Sequence, residues 1–551
     1  MSGRRVLALY GVMLTCFFVV VCRLYWLAQN QTYAARARAQ SQVTLALPAP
    51  RGGFYDCRNR PLTGLHQTWQ AVCIPGQDSY GRLYRYAGPE QQALLYQQRN
   101  ARRPFLVELE QDLSQQGVCC FPVTQRYGAA PLACHLLGYL DGEGKGVAGL
   151  EAALESVLSA PGAQDEIRCQ VDARGRLLED TLPQRHRCYH RTKGGAGVRL
   201  SISRPVQRTV EAVAGEMMSS GCVLVLDVAT AKVRASVSLP AFDPNHVAAS
   251  LGPADRPLGP APSLGQPDSP LVNRALQAYA VGSVFKPVVA AAALEAGVQG
   301  LEYECPGYQM VDGQVFHCAS GVAHGTVDLT AALQKSCNGY FIQLGQQLGA
   351  ERVRDMAAAM GFGSAVPLAG ALEADAGRLP AAAELYSSGQ FANFCFGQGT
   401  LMAAPVQVAA MMNTIAAGGV YRSPCFVECA VDEVTGQELQ PLAHRTARRV
   451  LSAQNAQKLT EMLAAVVEEG TGREAAPGQS TAGGKTGTAQ TGQFTPSGQE
   501  LKNLWFAGFW PAQAPQYTLV VLQDAQLDPP YSSAAVFARI CEALALLGGE
   551  E

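Results

Sequence analysis

An α+β fold built on an antiparallel sheet is what this sequence predicts, and three observations carry that expectation. Strand-like segments flank its second half: "GCVLVLDVATAKVRASVSL" (221–239) early, then "LWFAGFWPA" and "YTLVVLQDA" late. Between them lie apolar helical stretches closed by glycine, and strands at both ends with helices between suit a mixed fold. The composition is 48% apolar and only 16% charged, enough for a large core and against general disorder. At roughly 100–200 residues per domain, 551 residues allow two to four domains. A formal net charge of −2 argues against a nucleic-acid partner, which calls for a basic excess.

The first element is a membrane anchor. Arg4 and Arg5 precede an uncharged apolar run from Val6 to Cys22, and Leu24 to Ala28 extend it past Arg23, which can snorkel. The run comes to roughly 20 residues, enough to span a bilayer. Tyr25 and Trp26 suit the far interface, and the leading arginines the cytoplasmic side. A cleaved signal peptide has a shorter apolar region, closely followed by a small-residue site. Here the first such patterns, such as Ala37-Arg38-Ala39, lie well downstream and carry arginine. An uncleaved, single-pass anchor is therefore expected, with the rest of the chain outside the cytoplasm.

Three domains follow from these signals: stub and anchor at 1–28, an irregular N-terminal domain at 29–200, and a larger domain at 201–548. In the N-terminal domain "LVELEQDLSQQG" (106–117) and "GLEAALESVL" (149–158) read as helices, because apolar residues recur at three and four. In the larger domain 221–239 reads as two strands around a turn, and proline and glycine mark 252–270 as a loop. "LTAALQKSCNGYFIQLGQQLG" (329–349) and "PVQVAAMMNTIAAGG" (405–419) read as apolar helices stopped by glycine, and a last helix covers "AAVFARICEALALLGG".

Seventeen cysteines are scattered along the chain. They form no paired C-x-x-C knuckles, and the eight histidines form no H-E-x-x-H, so neither a metal site nor a cofactor is expected. Cys305 and Cys318 are close enough in sequence to bridge; most of the others read as small buried hydrophobes.

The chemistry sits in three short motifs: Ser283-Val284-Phe285-Lys286, Ser336-Cys337-Asn338 and Lys485-Thr486-Gly487. A serine hydroxyl is a weak nucleophile until a base takes its proton. Positions i and i+3 share a helix face, so Lys286 can reach Ser283. A lysine serves as base only when burial or a second cation lowers its pKa, and Lys485 is a candidate for that cation. At a helix start, Ser283 would have backbone N–H groups and the dipole to favour developing negative charge, as acyl transfer requires. Pro287 conflicts with a regular helix capped at Gly282, because its ring would meet the carbonyl of Ser283; an irregular first turn is expected. Singly these motifs are weak, since serine–lysine pairs are usually solvated and S-x-N residues are common turn formers. In this order, each in suitable context, they are specific.

With these motifs in order, the sequence resembles the penicillin-binding proteins, and more closely their class B, transpeptidase-only branch. "RGGFYDCRNRPL" (51–62) and "ACHLLGYLDGEGKGVAGLE" (133–151) are similar to that branch's pedestal region. "PAFDPN" (240–245), "NRALQAYAVGSVFKP" (273–287), "HGTVDLTAALQKSCNGYF" (324–341), "FGQGTLMAAPVQ" (396–407), "EEGTGREA" (468–475), "GGKTGTAQ" (483–490) and "WFAGFWP" (505–511) fall in family order. The resemblance implies a transpeptidase domain with helices on both faces of its sheet, behind a pedestal. It implies that Ser283 is acylated by peptidoglycan stem peptides ending in D-Ala-D-Ala, with Lys286 as base and Ser336 relaying a proton to the leaving amine. Asn338 would hold the substrate amide, and Lys485, Thr486 and Thr488, around Gly487, the terminal carboxylate. The N–H groups of Ser283 and Thr488 would form the oxyanion hole. β-Lactams would trap the acyl-enzyme, and a polytopic glycan polymerase is an expected partner.

Departures from the family pattern lie outside the motifs. Ser201-Ile202-Ser203 stands where Thr-Ile-Asp is usual, Ala404 where threonine is usual, and Ala231 where a turn glycine is usual. Cys337 inside S-x-N reads as a packed, inert thiol. A D,D-carboxypeptidase would use the same acyl-enzyme with water as acceptor. A non-catalytic penicillin sensor or scaffold would bind without turnover. A β-lactamase would need a deacylating base, for which Glu384 is the residue left open.

Overall fold

Residues 221–227 alternate in where they point, and that alternation sets the architecture. In the computed structural model of the chain, Val223 and Val225 face one helical layer and Leu224 and Leu226 the other. The structure describes all residues except 1–2, 30–31, 33–40, 49, 75–78, 160–163, 173, 179–180, 189–195, 251–268, 443–445, 479 and 549–551. The expected loop at 252–270 thus lies almost wholly outside the described residues.

An N-terminal helix, α1 (Gly3–Gln29), covers the expected anchor. It is the one helix among the described residues long and apolar enough to cross a membrane. It carries no buried residue.

The chain divides into two compact units. The first comprises 1–50, 64–126 and 160–194. It holds two antiparallel three-stranded sheets: Gln42–Ala46, Gln164–Gln170 and Gln184–Cys188 in one, and Phe105–Leu109, His66–Cys73 and Cys120–Gln125 in the other. The helix expected at 106–117 is instead strand Phe105–Leu109 followed by a single 3-10 turn at Ser114–Gln116. Its apolar residues serve both faces of a strand. Val107 and Leu109 pack beside Ala71 and Cys73, and Leu106 packs on the other side with Val72 and Ile167. Leu106, Leu109 and Leu113 mimic helical spacing, and pairing with His66–Cys73 overrides it.

The second unit comprises 51–63, 127–159 and 195–551. Segments 51–63 and 127–159, placed by sequence within 29–200, therefore pack with the larger domain. The expected helix at 149–158 is two short ones, Gly149–Ala153 and Glu155–Leu158.

The five-stranded sheet of this unit is antiparallel throughout. Its strands are β1 (Gly221–Asp227), β2 (Val233–Leu239), β3 (Gly483–Phe494), β4 (Glu500–Trp510) and β5 (Tyr517–Gln526), in the order β2-β1-β5-β4-β3. The helices Arg204–Met217 and Ser533–Leu547 cover one face with Val206, Val210, Phe537 and Ile540. The opposite face packs on the helix Pro405–Ala416, through Val408 and Met412, in one core with α2 (Lys286–Glu295). Burying alternate residues on both faces makes a two-layered core and holds β3, an edge strand, in one register: Lys485 opposite Ala507 and Thr488 opposite Leu504.

The stretch read as one helix over 329–349 is two: α3 (Leu329–Gln334) and α4 (Asn338–Leu348). Between them Ser336 takes φ +54°. Non-glycine residues pay for that left-handed conformation, and such strain clusters at functional sites.

Candidate active site

Ser283 lies on a 3-10 turn, Gly282–Phe285, and α2 begins only at Lys286. This removes the conflict over Pro287. It falls in the first turn of α2, where a backbone N–H has no helical acceptor to lose. The irregular turn expected from sequence is the one observed.

Glycines let this turn seat against β3. Gly282 has φ +63°, and a Cβ there would come within 2.7 Å of the Thr488 carbonyl oxygen. A Cβ on Gly487 would sit 2.9 Å from Val284 Cγ1, and one on Gly397 would fall on the Gly282 carbonyl. The Gly282 N–H donates to the Gly397 carbonyl at 2.9 Å, and Trp505 Nε1 donates to the Ala280 carbonyl at 3.0 Å. Backbone therefore packs on backbone around the serine. Sequence reasoning assigned no role to Gly397 or Trp505; the only signal was their place in stretches that follow family order.

Lys286 is fully buried, while Ser283 is half-buried beside it. Its Nζ donates to the Ser336 carbonyl at 2.7 Å, to Ser336 Oγ at 3.0 Å and to Asn338 Oδ1 at 2.7 Å. It also lies 5.6 Å from the Phe341 ring centre. Burial disfavours the ammonium and brings the Lys286 pKa down to about 7. The turn of the first motif and the loop of the second thus meet at one amine. Asn338 is held from its other end too, because Nδ2 donates to the His317 carbonyl at 2.8 Å.

Lys485 is also fully buried, on β3, with Nζ donating to the carbonyl and Oγ1 of Thr486, both at 3.2 Å. Its pKa is held well below the usual range, first by burial and then by the charge of Lys286. The sequence proposed the second cation as a cause for Lys286; the repulsion registers on Lys485, and burial accounts for Lys286. Thr486 Oγ1 pairs with Thr471 Oγ1 at 3.0 Å, and Thr488 is exposed.

Two further expectations meet the structure here. Cys305 and Cys318 do not bridge: their sulfurs are 3.7 Å apart, and all sixteen cysteines with described side chains are free. Glu384 commits its carboxylate to Arg378 at 3.0 Å, Thr400 Oγ1 at 3.2 Å and the Ala381 N–H.

A buried lysine between two serines, facing a lysine–threonine strand, is a site for acyl transfer. Residues 221–542 match the profile of the penicillin binding protein transpeptidase domain. The chain belongs to the class B penicillin-binding proteins. Among its relatives in that family, the peptidoglycan D,D-transpeptidase PbpA of Mycobacterium tuberculosis is 31% identical over 66% of this chain and 74% of its own. Stage V sporulation protein D of Bacillus subtilis is 28% identical over 73% of this chain, which spans 60% of that protein. Among solved structures, penicillin binding protein 3 of Mycobacterium tuberculosis complexed with aztreonam superposes with a TM-score of 0.62 at 25% identity. That superposition covers 92% of this chain and 97% of the other.

Proposed function

We propose that this chain is a serine-type peptidoglycan D,D-transpeptidase, with Ser283 as the acylated residue. The observation that carries the reading is the fully buried Lys286 amine, one turn past Ser283 and bonded to both Ser336 and Asn338. As a neutral amine, Lys286 keeps two N–H bonds, to the Ser336 carbonyl and Asn338 Oδ1, and offers its lone pair as a base. Ser283 Oγ passes its proton to that amine and attacks the carbonyl carbon of the penultimate D-Ala. The oxyanion lies between the N–H groups of Ser283 and Thr488. The ammonium returns the proton through Ser336 Oγ to the departing D-Ala amine. An acceptor amine then attacks the ester, and Ser283 recovers its proton in the reverse sense.

Lys485, Thr486 and Thr488 take the substrate carboxylate, and Gly487 leaves the space for the approach. A bound carboxylate restores the Lys485 ammonium, because an opposite charge offsets the burial that discharged it. The Asn338 amide keeps one N–H beyond its bond to His317 for the substrate amide. β-Lactams would acylate Ser283 in place of the dipeptide.

The apolar α1 would anchor the chain, with the N-terminus cytoplasmic and the catalytic unit outside. A pedestal role for 29–200, and a polytopic glycan polymerase as partner in the same bilayer, complete the proposal. Mass spectrometry of the protein with a β-lactam is the test. One slowly hydrolysed adduct on Ser283, absent from Ser283→Ala, is expected. No adduct sinks the reading, and cross-linking that survives Ser283→Ala sinks the assignment of the nucleophile. Water as sole acceptor would make the chain a D,D-carboxypeptidase, and acylation without any turnover a sensor.

A further inference from the structure

The first compact unit is basic at the end where the chain arrives from α1. α1 ends at Gln29, and the first strand of the unit begins at Gln42. Residues 30–41 reach about 40 Å at most when fully extended, which keeps that end of the unit close to any bilayer that α1 crosses. The Ser41 carbonyl accepts the Val171 N–H at 2.7 Å, so the turn after strand Gln164–Gln170 lies beside the point of arrival. From Met1 to Tyr55 the sequence holds no Asp or Glu, and Arg36 and Arg38 fall within the connecting residues.

Two arginine-bearing turns meet there. The turn at 172–176 exposes Arg174 and Arg176, and the turn at 99–103 exposes Arg99, Arg102 and Arg103. Gly175 has φ +83°, and a Cβ on it would come within 2.4 Å of the Arg102 carbonyl oxygen and 3.1 Å of Arg103 Cγ. The two turns therefore lie against each other. Asp172 accepts the backbone N–H groups of Arg174 and Arg176 at 2.8 and 2.9 Å, so its carboxylate shapes the turn. Other acids nearby are spent elsewhere: Asp165 on Arg185 at 2.8 Å and Glu166 on Arg168 at 2.6 Å. Glu110 meets His66 at the opposite end of the neighbouring sheet. Among the described residues, no carboxylate forms an ion pair with any of the five arginines. Glu179 and Asp180 lie outside the described residues. Like charges this close repel, and a surface shaped only for solubility intersperses both signs.

Apolar groups stand exposed among the cations. Leu182 is 73% exposed, and Tyr96 is 61% exposed with the Arg99 guanidinium 4.2 Å from its ring centre. Leu178 is exposed as well, and its N–H donates to the Gln170 carbonyl at 2.9 Å, which holds it at the same end of the sheet. Arginine beside exposed leucine and tyrosine suits the headgroup layer of a membrane, with phosphates for the cations and the acyl boundary for the apolar tips.

We propose that the arginine turns at 99–103 and 172–176 dock the first unit on anionic phospholipid headgroups of the bilayer that α1 spans. This rests on the reading of α1 as an anchor and on no part of the acyl-transfer chemistry. A lone tether leaves a unit free to swing, and a second, electrostatic contact fixes which of its ends faces the membrane. Guanidinium groups pair with phosphate oxygens through parallel N–H bonds. A protein partner would have to bring several carboxylates to one spot, whereas an anionic leaflet offers a field of phosphates beside the anchor. The attraction is screened by salt, since the Debye length falls from about 10 Å at 0.1 M to about 3 Å at 1 M.

The test uses the full chain in nanodiscs, read by hydrogen–deuterium exchange. One set of discs holds phosphatidylcholine alone, and the other includes phosphatidylglycerol at about a third of the lipid. Amides of 96–104 and 171–178 should exchange about threefold or more slowly in the anionic discs, and salt at about 1 M should abolish the difference. Arg102→Glu combined with Arg174→Glu should abolish it too. Exchange in the strands of the unit reports whether that variant folds, and the salt comparison on the unaltered chain decides without it. Equal exchange in the two discs overturns the docking, and so does protection that ignores salt. Equal exchange in discs with protection only in native membranes assigns the surface to a membrane protein and overturns the lipid. A chain that neither disc retains refutes the anchor, and the docking with it; a retained chain without the difference refutes the docking alone.

Discussion

The two walls of the active site are made in different ways. The serine wall, where the turn Gly282–Phe285 meets β3, is backbone against backbone, kept close by Gly282, Gly397 and Gly487. The S-x-N wall is a loop held by side-chain contacts, with a strained serine at φ +54° and the buried thiols of Cys305, Cys318 and Cys337 behind it. The first wall owes its position to what is missing from the residues, the second to what their side chains grip. The first should therefore fail by steric insult and the second by loss of a side-chain contact.

The largest effect is expected where the walls meet. Lys286→Met keeps the volume and removes the amine that bridges them, and single-turnover acylation should fall by about 10²–10⁴-fold with the thermal midpoint little changed. A stable variant that acylates at the normal rate would show that the walls do not work through this amine. Next comes Gly397→Ala, which drives a methyl group onto the Gly282 carbonyl at a backbone already at φ +83°. It should cost about 2 kcal/mol or more of stability in denaturant unfolding. Unaltered unfolding would break the distinction between the walls.

The third prediction concerns pH. A lysine acts as a base only when neutral, and burial brings the Lys286 pKa down to about 7. Acylation should rise about tenfold per pH unit below 7 and level off above it. A rate that falls as pH rises through 7 would reverse the assignment of base. The smallest effects compare two residues with one conformation: Ser336 and Ala231 both have φ +54°. Ala231→Gly should stabilise the fold by about 1 kcal/mol and leave acylation alone. Ser336→Gly should bring a similar relief yet slow acylation, since it removes the hydroxyl bonded to Lys286. Equal behaviour of the two variants would mean that the strain at Ser336 serves no chemistry.

Much of the serine wall was readable in the sequence, because its parts are local: a serine, a lysine three residues on, and a glycine-bounded strand. The β-branched content of 221–239 gave β1 and β2 for the same reason. The S-x-N wall was readable only as a motif. The break at Ser336 was hidden, since apolar residues on both sides of it keep helical spacing through 329–349. The packing of Cys305 and Cys318 with Cys337 was hidden because paired strands bring them together, and no local spacing records that. The strand at 105–109 was misread because its leucines serve both faces of a sheet and so imitate a helix. In each case the missing information was a long-range pairing. The Pro287 difficulty was the opposite case, a local steric rule that correctly called for an irregular turn.

The glycines around Ser283 also limit how this site can change under drug selection. At Gly282, Gly397 and Gly487, the smallest added side chain meets a carbonyl or a packed valine. Resistance to an acylating inhibitor should therefore arise at the rim, at exposed Thr488 or around the half-buried Ser336, rather than beside Ser283. The serine's nearest neighbours are the positions with the least freedom to mutate.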